Sequence, residues 1–296
     1  MMTKVMTFNM WGAGKNAGKP IDETVAVMKA VDADIYAVQE TRREPALRRR
    51  GSRTADDSSV AKPLADAIGY YVFEPQTLND AILAMAVISR YPISAPSASG
   101  LSMQVDIDGH ALHILNVHVP AAPYQPYQLL GIPYDDAPFL ATEQQLIEAA
   151  EQARNAGMDL LFAEMDRLTN ADTTLVFGDF NEPSHLDWTE RAAALGNHPL
   201  TVRYPASARL ADAGFDDVYR VIHPDEISHP GYTWSPTTAA DDPADHHDRI
   251  DYIYLRGDSA RITDAKVVGE SAANADIVVT PWPSDHRAVV ATVELY

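Results

Sequence analysis

Two strand-like stretches, residues 101–107 and 111–119, are separated by little more than Asp108-Gly109, a dipeptide that favours the tight turn of a β-hairpin. Strands joined this closely must pair antiparallel, because a parallel crossover needs a dozen residues or more. Elsewhere the chain alternates differently. Residues 5–11 and 34–39 read as short strands, and residues 21–31 between them carry Val25, Met28 and Val31 at helical spacing. Further strand signals lie at 81–89, 173–177, 250–255, 261–268 and 288–293. Hairpins and crossovers in one chain exclude an all-parallel sheet and point to a mixed α/β (α+β) arrangement.

A longer helical pattern runs through Phe139, Leu140, Leu146, Ile147, Ala150, Leu161, Met165 and Leu168. It should pack on a sheet face, with a break near Asn155-Ala156-Gly157, where helix propensity drops. Residues 120–138 and 224–243 fit neither template and read as long irregular loops available to a substrate. A length of 296 residues suggests roughly two domains. No repeat, low-complexity tract or linker marks a boundary, so one domain spanning 1–296 is expected.

The chain has no cysteine, which removes disulfides, thiolate metal sites and a cysteine nucleophile, and leaves any metal to oxygen or nitrogen ligands. Its formal charge of −19, from 42 acidic and 23 basic side chains, repels polyanions and disfavours sequence-independent binding of nucleic acid. The N-terminus leads directly into a strand pattern without the parts of a signal peptide, and no stretch approaches the ~18 apolar residues of a membrane span. A soluble protein is expected, cytoplasmic or, if a leader has been removed, secreted.

Several strand-like segments end in polar groups. Thr174-Leu175-Val176-Phe177 is followed by Gly178-Asp179-Phe180-Asn181, which presents a carboxylate and a carboxamide on one face, since residues two apart in an extended chain point the same way. Val38-Gln39-Glu40 ends in a carboxylate and the first strand in Asn9. Oxygen donors of this kind suit Mg²⁺, with Glu40 the leading ligand. His118 and His286 are placed to move protons, and Asp251 to orient one of them by fixing its tautomer.

The ordered blocks Phe8-Asn9-Met10-Trp11, Val38-Gln39-Glu40-Thr41, Asn116-Val117-His118, Gly178-Asp179-Phe180-Asn181, Arg249-Ile250-Asp251-Tyr252 and Ser284-Asp285-His286 resemble the endonuclease/exonuclease/phosphatase superfamily, the deoxyribonuclease-I-like metal-dependent phosphoesterases. The resemblance spans nearly the whole chain. It implies a four-layer α/β/β/α sandwich of two packed mixed sheets flanked by helices. It also implies cleavage of phosphate esters by in-line attack of water with Mg²⁺, or Mn²⁺ or Ca²⁺ in its place, and no covalent enzyme intermediate. Carried over by motif, Glu40 binds the metal, Asn9 supports it and Asp285 lies beside it. Asp179 orients or deprotonates the water, Asn181 holds the scissile phosphate, Asp251 pairs with His286, and His118 and His286 bond the phosphoryl oxygens.

Beyond these blocks, Arg42, Arg43, Arg48, Arg49, Arg50 and Arg53 form a basic cluster that can clamp a second anionic group, or can be a solvated loop; Arg42 and Arg48 are its candidate substrate contacts. Tyr124 and Tyr127, with Tyr134, are candidates to line a leaving-group pocket. Asp245-His246-His247-Asp248 carries metal-capable side chains, although such residues are also common in exposed loops. Trp282 either borders the pocket or packs beneath it, and His110 and His113 read as structural. The resulting expectation is a Mg²⁺-dependent phosphodiesterase or phosphatase for a small or medium phosphate ester. An endo- or exonuclease, disfavoured by the charge, is the alternative.

Overall fold

A computed structural model describes residues 1–42, 58–75, 84–168 and 173–296. Its strands are β1 (Met2–Asn9), β2 (Ile35–Gln39), β3 (Tyr71–Phe73), β4 (Met85–Ser89), β5 (Ile93–Ser94), β6 (Ser102–Ile107), β7 (His110–His118), β8 (Thr173–Asp179), β9 (Asp216–Asp217), β10 (Asp251–Arg256), β11 (Ala260–Gly269), β12 (Ile277–Val278) and β13 (Ala288–Leu295). They form a seven-stranded sheet in the order β12-β11-β13-β1-β2-β4-β3 and a six-stranded sheet in the order β5-β6-β7-β8-β10-β9. Both sheets are mixed: β1 runs parallel to β2 but antiparallel to β13, and β7 runs parallel to β8 but antiparallel to β6.

Alternation along the strands decides the layering. Val5, Ile35 and Ala37 of one sheet meet Ile114, Leu175, Phe177, Ile253 and Leu255 of the other in a shared core. Their neighbours Met6, Phe8, Tyr36 and Val38 point outward onto helices α1 (Ile21–Val31) and α2 (Ala61–Ile68). On the second sheet Leu115, Val117, Val176, Tyr252 and Tyr254 point the other way, against Met158 and Leu161 of a long helix and Leu210 of a shorter one. Because helices cover the outer faces, both parities of each central strand are apolar. The result is a four-layer α/β/β/α sandwich, in which each fully buried Leu, Ile or Phe contributes about 1.5–3 kcal/mol.

The Asp108-Gly109 turn joins β6 to β7, with both residues at positive φ (51° and 90°) and the Gly109 N–H donating to Asp106 Oδ1 at 3.0 Å. Two expectations need correction. Residues 120–138 are not wholly irregular but contain helix α3 (Gln125–Leu130). The long helix, α4 (Glu143–Asp166), runs unbroken through Asn155-Ala156-Gly157. Burial of Leu146, Ala150, Met158, Leu161 and Met165 outweighs the ~1 kcal/mol propensity cost of one glycine. Three further helices, α5 (Glu190–Ala194), α6 (Pro205–Asp212) and α7 (Val218–Ile222), follow β8. Among the described residues no helix is long and apolar enough to cross a membrane.

One polar contact ties the sheets together near their chemical end. Gln39 of β2 donates through Nε2 to Asn116 Oδ1 of β7 at 2.8 Å, and Asn116 Nδ2 returns hydrogen bonds to the carbonyls of Val38 and Ala86. Buried carboxamides bonded across the layers in this way fix the position of one sheet against the other.

Candidate active site

Strand register brings the chemistry into a row. The parallel β7–β8 pairing sets His118 opposite Asp179, and the antiparallel β8–β10 pairing sets Asp179 opposite Asp251. All three continue the parity of the inter-sheet core, as the sequences Ile114, Asn116, His118; Leu175, Phe177, Asp179; and Leu255, Ile253, Asp251 make plain. On the facing sheet Val5, Thr7 and Asn9 do the same. The apolar core therefore ends in polar groups without any strand changing face.

Asn9 spans the gap between the sheets. Its Nδ2 donates to Asp179 Oδ2 at 2.8 Å and to Glu40 Oε1 at 3.1 Å. Its Oδ1, the atom through which it would support a cation, accepts the Trp11 N–H at 3.2 Å. Asp179 Oδ2 also lies 3.5 Å from His118 Nε2 and 3.8 Å from His286 Nε2, and Glu40 Oε1 lies 3.9 Å from His118 Nε2. His286 Nδ1 bonds Asp251 Oδ2 at 2.9 Å; since a carboxylate only accepts, this nitrogen carries a proton.

The backbone around the site is held by side chains. Ser284 donates its hydroxyl to the Asn9 carbonyl at 2.6 Å and accepts the His286 N–H at 3.1 Å. Trp282 packs on Phe8 beneath the site and donates Nε1–H to the His286 carbonyl at 2.8 Å; it does not line the cavity. Glu40 and Asn181 both sit in the left-handed region, at φ 53° and 47°. Such positions cost about 1–3 kcal/mol for a non-glycine residue and persist where the surroundings impose them. Here Gly12 N–H binds the Glu40 carbonyl at 2.9 Å, and Asn181 donates its N–H to Asp179 Oδ1 at 2.8 Å and Nδ2 to the Val119 carbonyl at 3.0 Å.

Burial sets the charges. The His118 ring is pushed down to about 3, first by burial and then by His286, and is neutral. For His286 burial acts the same way, but the carboxylates of Asp251 and Asp179 outweigh it and hold the ring well above the ordinary histidine range, so it is cationic. Asp179 is raised to about 7, first by burial and then by repulsion from Asp251. Two imidazoles of opposite protonation state thus face one buried carboxylate.

A cavity of about 190 Å³ opens beside these groups, lined by Glu40, His118, Asn181, Asp285 and His286 together with Trp11, Tyr124, Tyr127, Tyr134 and Trp234. Asn9, Asp179 and Asp251 are fully buried behind it. Ser284 and Trp11 lie within the matched blocks but carried no assigned role from sequence, and Trp234 lay outside them. Trp234, edge-on to the His286 ring at 5.1 Å, comes from the irregular 224–243 loop, whose length was the available signal. Arg42 is placed away from its expected role: it pairs with Glu74 at 3.5 Å and does not line the cavity. The rest of the arginine cluster, Arg48 included, lies outside the described residues.

The donor set suits a hard divalent cation, since Glu40 and Asp285 bring carboxylate oxygens to the cavity wall.

The family model described as Endonuclease/Exonuclease/phosphatase family matches residues 6–286. The chain belongs to this family. A curated relative, the uncharacterized protein F14F9.5 of Caenorhabditis elegans, is 23% identical over 303 residues, covering 97% of this chain and 90% of the relative. Among solved structures, an endonuclease/exonuclease/phosphatase family protein from Leptotrichia buccalis superposes with a TM-score of 0.57 at 17% identity, covering 99% of this chain and 100% of that one. The 3′ phosphatase NExo from Neisseria, bound to a product DNA hairpin, gives 0.56 at 17% identity, covering 99% of both chains. At these identities the likeness establishes the endonuclease/exonuclease/phosphatase fold. Members of the family are hydrolytic enzymes acting on phosphate esters.

Proposed function

We propose that this chain is a divalent-cation-dependent hydrolase of small or medium phosphate esters, with Mg²⁺ as the working ion. One observation carries the reading: Asn9 and His118, from the ends of β1 and β7, and His286, from the segment just before β13, converge on Asp179 at 2.8, 3.5 and 3.8 Å. Glu40 and Asp285, with Asn9 in support, would hold the cation, which when bound neutralises charge on the phosphoryl oxygens. Asn181 and the two imidazoles face the cavity and bind the phosphoryl group. Asp179, raised to about 7, is a base matched to neutral pH and takes a proton from the attacking water. As the P–O bond to the leaving group breaks opposite the entering oxygen, His286 supplies the proton that the departing oxygen requires. His118, neutral, orients the phosphoryl group without adding charge. Asp251 keeps the His286 proton on Nδ1 and stabilises its cation.

The aromatic residues lining the same cavity, Tyr124 and Tyr127 among them, suit a leaving group with a flat or apolar body. The small cavity and the −19 charge favour a compact ester over a long polyanion. Nuclease action is the second reading, since the similar 3′ phosphatase NExo was solved with DNA. Hydrolysis of p-nitrophenyl phosphate, bis-p-nitrophenyl phosphate, phospholipid and plasmid DNA, each with Mg²⁺, Mn²⁺ or Ca²⁺, separates the two. Faster cleavage of DNA than of any small ester would reverse the order.

A further inference from the structure

We propose that His198, His246 and Asp248 form a second metal site, separate from the catalytic centre, that takes zinc or another divalent cation with a preference for imidazole. His198 Nδ1 lies 3.2 Å from His246 Nε2, which lies 3.8 Å from Asp248 Oδ1, and all three donor atoms fall within 4.8 Å of one another. A tetrahedral ion with bonds of about 2.0–2.1 Å sets its ligands roughly 3.3 Å apart. Of the three pairs, His198–His246 already has that spacing, His246–Asp248 is about half an ångström wider, and His198–Asp248 falls within 4.8 Å. Two imidazoles and one carboxylate favour zinc over Mg²⁺.

The charges around Asp248 make an independent case. Its buried neighbours Asp187 and Asp217 are compensated: Asp187 pairs with Arg220 and Arg249 at 2.7 and 2.9 Å, and Asp217 with Arg249 at 2.8 Å. Asp248 is as deeply buried, at 2% exposure, yet among the described residues no lysine or arginine pairs with it. Its oxygens accept hydrogen bonds from the Trp188 indole at 2.9 Å and the Tyr124 hydroxyl at 2.7 Å, with His246 Nε2 3.8 Å away. A buried carboxylate without a cation is costly, and carboxylates that ligate metals are characteristically held by such outer hydrogen bonds.

His198 is set up as a ligand in the same manner. Its ring stacks on Trp188 at 4.2 Å, and its Nδ1 faces His246. The site joins the segment after α5 to the loop before β10. Asp248 pairs through its backbone with Trp234, which packs on His286, so the ion would brace the wall of the catalytic pocket.

The test is zinc binding by the full chain after treatment with a chelator. Metal is counted after equilibrium dialysis in excess Mg²⁺, and thermal unfolding is followed with zinc near 100 Kd. Wild type and Asp179→Asn should each retain one zinc that Mg²⁺ does not displace, with Tm raised by about 5 °C or more. His246→Gln, altered at a half-buried position, should keep the metal-free Tm and lose both the ion and the shift. Equal zinc binding by wild type and His246→Gln, loss of the ion in Asp179→Asn instead, or no zinc retained against Mg²⁺ would each overturn the proposal. Should His198→Gln, used as a second ligand variant, not fold, His246→Gln decides alone.

Discussion

Gly178 sits between the last core residue of β8 and Asp179, and the structure indicates what any side chain there would do. A Cβ built on Gly178 meets the Val117 carbonyl oxygen at 2.2 Å and Val117 Cγ1 at 2.6 Å, whereas ordinary contact begins near 3.4 Å. Gly178→Ala must therefore widen β7 and β8 by about 1 Å at the pair next to His118 and Asp179. Overpacking of this kind costs about 1–3 kcal/mol. With about 2–4 °C of Tm per kcal/mol for a chain of this size, melting should fall by roughly 2–12 °C. The site should suffer more than the fold, because a shift of about 1 Å in a catalytic group costs about 10²-fold in rate. Differential scanning calorimetry and steady-state hydrolysis of bis-p-nitrophenyl phosphate measure the two effects. A variant with Tm within about 1 °C and kcat within about twofold of wild type would refute the claim that the missing side chain sets the strand spacing at the site.

Asp251→Asn removes the carboxylate that holds His286 cationic. It should lower kcat by at least about 10²-fold and move the alkaline limb of the pH–rate profile to lower pH, and an unmoved limb would count against the pairing. Chelation with EDTA should stop ester hydrolysis without changing the far-ultraviolet circular dichroism, and Mg²⁺ should restore it. Tyr134→Ala should raise KM about 3–10-fold for esters with aromatic leaving groups and leave kcat near wild type, as measured by initial rates. Glu182 is raised by burial from 4.5 to about 7, so the folded state holds a proton that the unfolded state releases. Its contribution is present below pH 4.5 and lost as pH rises through 7, a swing of roughly 3 kcal/mol. Glu182→Gln should lack this swing in urea unfolding at pH 5 and pH 8, and parallel pH dependence in the two proteins would exclude it.

The features legible in the sequence were those that depend on neighbours along the chain. Asp108-Gly109 announced its hairpin because a two-residue turn needs residues that tolerate positive φ, and Gly178-Asp179-Phe180-Asn181 followed an unmistakable apolar run. The helix at residues 21–31 was read to the residue from its spacing. Features that depend on distant contacts were missed. The continuity of α4 through Asn155-Ala156-Gly157 comes from the sheet beneath it, and α3 lay hidden among prolines. Arg42 looked like an anion clamp because of its arginine neighbours, but Glu74, 32 residues on, takes its guanidinium. The role of Ser284, joining Asn9 to His286 across the chain's two ends, has no local signature. Opposite charge states for His118 and His286 were invisible too, since burial and the nearby carboxylates that set them exist only in the folded chain.

The central claim is that the strand ends converging on Asp179 make one cation-dependent phosphoesterase centre. Its most direct test is the rate of phosphate-ester hydrolysis by Asp179→Asn in saturating Mg²⁺, beside wild type of equal Tm. The account predicts a loss of at least about 10³-fold, from removal of a general base together with the charge it carries. Turnover within tenfold of wild type would contradict it.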